Sequence, residues 1–202
     1  MRPIPAIALA WLAILAAATV KSAPATPPIS SAHSLPPPGA GEPREDPRGC
    51  LLAGNGFLRA RIRGAVNLDI DWHNAEMQCD GGARPNHSGM RVSFAGPKTS
   101  DGRRLRMVFG IGTAAEGRAA RALPTNLTVI FEGERRLFAT QGEDKCTVDQ
   151  LTQERVGDLG APGRTYRIVA HGFCISPASS LDQSARILIT SFDFAGRVSF
   201  ES

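Results

Sequence analysis

The chain predicts an all-β fold, an antiparallel sandwich or open barrel of about eight to ten short strands, stabilised by disulfides. Three observations carry that expectation. Apolar residues recur with a period of two, clusters of Gly, Pro, Asp and Asn punctuate the runs, and four cysteines follow an export-type leader.

The leader occupies residues 1–25. Arg2 precedes a run from Ile4 to Val20 that is apolar apart from Pro5 and Thr19, and Ala23-Pro24-Ala25 follows as a small-residue exit. A basic start, an apolar middle and a small-residue end make a secretory signal. The alternative is an uncleaved anchor, for which the run is short, since a span needs about 20 apolar residues. Export puts Cys50, Cys79, Cys146 and Cys174 in an oxidising compartment, periplasmic or extracellular, where bridges are the expected state.

Residues 26–48 are proline-rich, with Leu35-Pro36-Pro37-Pro38-Gly39 and Glu42-Pro43-Arg44 among them, and carry no apolar periodicity. Such a segment lacks the apolar surface to fold and serves as an extended linker or stalk. One β-rich domain fills residues 49–202, long enough to bury its own core.

Its first element is an alternation. Leu58, Ala60, Ile62, Val66, Leu68, Ile70 and Trp72 share one parity; Arg59, Arg61, Arg63, Asn67, Asp69 and Asp71 share the other. One face packs inward and the other meets water. Gly64 interrupts the run, as a bulge or as a bend between two shorter strands. Asp80-Gly81-Gly82 reads as a turn, and Gly89 to Ala95 as a strand after the loop at Asn86-His87-Ser88. Leu105, Met107, Phe109 and Ile111 alternate next. The Ala-rich stretch 113–123, split by Gly117, predicts one or two helical turns. A hairpin follows about Glu132-Gly133-Glu134. Further strands are expected near 145–150, 164–174, 185–194 and 197–200, with a Gly-rich turn at 157–163.

Cys50 and Cys79 stand 29 positions apart, Cys146 and Cys174 28 apart, and these two local pairs are the expected connectivity. No Cys-x-x-Cys occurs, which speaks against zinc and redox chemistry.

Candidate chemistry is sparse. Asp69-x-Asp71-x-His73 has metal-like spacing on one strand face, but its outer members would lie about 13 Å apart, too far for one ion. Arg59, Arg61 and Arg63 form a possible anion-binding face, with Arg103, Arg104 and Arg106 as a second group. Arginine number alone carries little, because Lys occurs only at positions 21, 98 and 145, as expected of a GC-rich bacterial genome. Without the leader the net charge falls from +4 to about +2, too little to imply a polyanionic partner. Glu132, Glu134, Glu143 and Asp144 cluster near one hairpin end and are the carboxylates a glycoside hydrolase would use. His171 stands alone near Cys174. No nucleophile elbow, phosphate loop or dinucleotide fingerprint is present, so no cofactor is expected. Nucleic acid is excluded by export and by the lack of stacking aromatics.

The expectation is therefore an exported bacterial domain with a non-catalytic binding or structural role in the cell envelope. Its partner would be an envelope protein, an anionic lipid or a glycan. A polymer hydrolase and a small metal module are the alternatives.

Overall fold

A computed structural model describes residues 49–85, 88–156 and 164–200. The leader, the proline-rich linker, Asn86, His87 and residues 157–163, where a turn was expected, lie outside the described residues.

Alternation in the sequence becomes eleven strands: β1 (Phe57–Gly64), β2 (Leu68–His73), β3 (Gln78–Ala83), β4 (Met90–Ala95), β5 (Arg104–Ile111), β6 (Ala120–Glu132), β7 (Arg136–Ala139), β8 (Cys146–Arg155), β9 (Arg164–Cys174), β10 (Ala178–Ser180) and β11 (Arg186–Phe200). All pair antiparallel in one sheet. Two strands organise it, β6 with 13 residues and β11 with 15. Along one edge of β11 runs β1, followed by β2. Its other edge carries β9 and β10 end to end. β6 mirrors this, with β5 on one edge and β7 and β8 end to end on the other. Pairing of β8 with β9 and of β7 with β10 joins the two halves, and β4 and β3 extend the sheet beyond β5.

The sheet curls until β3 rests against the last third of β11. A Cβ at Gly81 would fall 2.8 Å from the carbonyl oxygen of Arg197, so only glycine permits that approach. The expected Asp80-Gly81-Gly82 turn is thus a strand. Its glycines serve close backbone packing, which sequence alone spells the same way as a turn.

Inside the curl, side chains of one parity fill the space. Phe94, Phe109, Phe192 and Phe194 are buried, with ring centroids 4.8–5.0 Å apart for Phe109–Phe194, Phe94–Phe194 and Phe109–Phe192. These tilted contacts add to the burial of four large rings. The interior is a packed core, continuous with Leu58, Ile62, Met107, Leu127 and Ile189.

Gly64 proves to be the bend, ending β1 before a hairpin into β2. The two runs expected at 185–194 and 197–200 are one strand. Gly196 carries it past the Phe94 ring, whose nearest atom would lie 2.6 Å from an added Cβ. No α-helix occurs among the described residues, and the helical turns expected at 113–123 are absent. Residues 113–119 form a loop instead, anchored by Gln153, whose amide donates to the carbonyls of Ala115 and Arg118 while its oxygen accepts from Gly117. Ala-richness sets a weak helical preference, and this loop satisfies its backbone by tertiary contact.

Both expected disulfides form, Cys50–Cys79 and Cys146–Cys174. The first fixes the N-terminal loop, together with buried Asn74. That side chain accepts from the amides of Leu51 (2.8 Å) and Gly56 (3.0 Å) and donates to the Leu51 carbonyl. The second joins directly opposed residues of β8 and β9. Two bridges are the mark of a protein that folds in an oxidising environment. Among the described residues, no helix is long and apolar enough to cross a membrane.

Candidate functional site

Outward positions of β2, β1, β11, β9 and β8 align into a polar row across five strands. The register sets Asp71 beside Arg59, Arg59 beside Asp193, Asp193 beside His171, and His171 beside Gln150. Arg59 Nε donates to Asp71 Oδ1 at 3.1 Å, and its guanidinium comes within 4.0 Å of Asp193. One row along, Asp69 lies 3.5 Å from Arg61 and 2.8 Å from Arg63. A recess of about 300 Å³ lies over this face, between the arginines and His171.

The face merges two of the expected sites. Asp69 and Asp71 pair with arginines, and Arg59, Arg61 and Arg63 are matched by those same carboxylates. His73 sits at the strand end, where its amide is capped by Glu76 Oε2 at 2.8 Å. Among the described residues, no three His, Cys, Asp or Glu side chains gather as metal ligands do. Two bulges flank the row, at Thr190 of β11 and Asp149 of β8, where the pairing skips a residue. Bulges of this kind turn side chains away from the regular pleat. Periodicity found the arginines and aspartates here. It does not place Asp193 or the lone His171 with them, because only strand order brings the two alongside.

Each of the expected hydrolase carboxylates is engaged by a cation. Glu132 is clamped between Arg104 and Arg106, both mostly buried, and Arg106 also reaches the hydroxyl of buried Ser93 at 2.9 Å. Glu134 pairs with Arg103 and Arg136, Glu143 with Arg84, and Asp144 with Lys145.

A second cleft, of about 700 Å³, opens between the end of β3, the 113–119 loop and the start of β9. Phe200 and small residues line its floor, and Glu116 and Arg164 stand on its wall. Arg164 Nη2 donates to Glu116 Oε2 at 2.9 Å, and the Tyr166 hydroxyl donates to Oε1 at 3.0 Å.

Titration behaviour follows these contacts. Arg164 holds Glu116 below the ordinary carboxylate range. Burial pushes Glu132 upward, but hydrogen bonds from Arg104 and Arg106 outweigh it and leave the group lowered. Glu143 is lowered by Arg84 and Asp144 by Lys145. Asp101 is lowered first by the Thr99 hydroxyl, and Asp182, which accepts from Ser180 and Ser184, falls to about 2. Every displaced carboxylate among the described residues is displaced towards the ionised form. A general acid needs the opposite shift.

Neither a family model, nor a curated protein, nor a solved structure matches this chain.

Proposed function

We propose that this chain is an exported, non-catalytic binding or structural domain of the bacterial cell envelope, working through the outward faces of its sheet. The observation that carries the proposal is the state of the carboxylates. Each one that the fold perturbs is held ionised by a cation or by hydrogen-bond donors. That arrangement supports surface recognition, and none of these carboxylates is a proton donor at neutral pH. The phenylalanine core leaves recognition to the exterior.

Two disulfides and the leader agree with work in the periplasm or outside the cell. The mature chain would start near residue 24 or 26. The test is a native mass of the protein purified from its host's envelope fraction, beside an assay against envelope polysaccharide and peptidoglycan. The proposal expects the cleaved mass less four hydrogens, a retained partner or ligand, and no turnover. Turnover that disappears when Glu116 or Glu132 is changed to Gln would overturn it in favour of a hydrolase.

A further inference from the structure

Most arginines on the strands of this sheet come with carboxylates; Arg121 and Arg186, both exposed, do not, and neither do two half-buried ones. Arg59, Arg61, Arg63, Arg84, Arg91, Arg103, Arg104, Arg106, Arg136 and Arg164 each have an acidic partner. Among the described residues, Arg167 and Arg197 are the two half-buried arginines without an ion pair. The β9–β11 register places them directly opposite one another. Facing side chains on adjacent strands have Cβ atoms about 4.5–5.5 Å apart, and like charges there repel.

Glu154 of β8 is opposite Arg167 on its other side, yet it is exposed and makes no ion pair with it. Asp80, on the strand that rests against Arg197, is engaged with Arg91 at 3.7 Å. Arg167 Nε is buried and has no acceptor. A buried guanidinium nitrogen left without a partner calls for a water or an ion. Strand alternation fixes both arginines on the outer face, since Ile168 and Val198 beside them are buried in the core.

We propose that Arg167 and Arg197 form a binding site for a phosphate-type oxyanion. A tetrahedral dianion matches two guanidinium charges and supplies acceptors to both forks, whereas a single carboxylate neutralises only one of them. The same chemistry occurs in free phosphate and in the headgroup of an anionic phospholipid. The site rests on the reading of this chain as a binding domain, and gives that domain a ligand class.

The test is thermal unfolding of the oxidised protein in inorganic phosphate against chloride at equal ionic strength, with Arg167→Gln, Arg197→Gln and the exposed-loop control Arg118→Gln. At a phosphate concentration ten times the dissociation constant the wild type should gain about 3 °C or more. Arg118→Gln should keep that gain, and both strand variants should lose it while remaining folded in chloride. Sedimentation with vesicles of phosphatidylglycerol in phosphatidylcholine, against phosphatidylcholine alone, separates the sources. Binding lost in both strand variants assigns the group to a lipid headgroup, and a phosphate gain without vesicle binding assigns it to a soluble phosphate. No gain over chloride, or an equal gain in Arg197→Gln, overturns the site whatever the vesicles show. That failure leaves the non-catalytic reading standing, just as polymer turnover would sink that reading and leave the oxyanion site untouched.

Discussion

Glu132 is the residue whose surroundings say most about how this surface is built. Its side chain is 30% exposed, against 16% for Arg104 and 23% for Arg106, so water screens the triad only in part. Its folded-state pKa lies below the unfolded one. The stabilisation is therefore complete above the unfolded pKa and is lost as pH falls through the folded value. Glu132→Gln should cost about 1–3 kcal/mol at pH 7, because two charge-assisted hydrogen bonds lose their anion. Urea unfolding of wild type and variant at pH 7 and at pH 3 checks this, and the gap should narrow at the lower pH. A gap that stays constant with pH would mean the triad is not the source. In the sequence, Glu132 was legible only as one acid of a hairpin turn. Its arginines come from a neighbouring strand, and no local pattern announces which residue will sit across a ladder. Asp71 and Arg59 were legible as charges on one face, but as two candidate sites and not as each other's partner.

At the scale of elements, alternation revealed most strands because a half-buried sheet imposes a period of two. It failed where glycine and alanine dominate. β3 was hidden by Asp80-Gly81-Gly82, whose two glycines have no side chain to show parity and are explained by the backbone of β11 beside them. The 113–119 loop was hidden by its alanines, and it begins with strain: Thr113 follows β5 with φ of 55°. A β-branched residue in the left-handed region is unfavourable by roughly 1–2 kcal/mol, and glycine there removes the clash while adding about 0.5–1 kcal/mol of unfolded-state entropy. Thr113→Gly should therefore raise stability by up to about 1 kcal/mol, which calorimetry would register as a higher Tm. A lower Tm would show that the Thr113 side chain contributes packing that outweighs its backbone strain.

For the whole molecule, the disulfides were the most legible feature, since two cysteine pairs with like spacing each enclose a contiguous group of strands. The curl of the sheet was not legible. It depends on β11 serving β1, β9 and β10 at once, a long-range arrangement that local residue types do not encode. Replacing Cys146 and Cys174 together by Ala should cost about 3.5 kcal/mol by the loop-entropy account, measured by denaturant unfolding against the oxidised parent. An unchanged midpoint would mean that β8 and β9 hold their register without the bridge. The central claim, though, is that the carboxylates this fold displaces, among the described residues, are displaced towards the ionised form. A carbon-detected NMR titration of the Asp and Glu side chains tests it most directly. The account predicts that Glu116, Glu132, Glu143, Asp101, Asp144 and Asp182 all titrate below their ordinary values. A carboxyl group found to titrate near pH 6, in the range of a catalytic acid, would contradict it and return the hydrolase to first place.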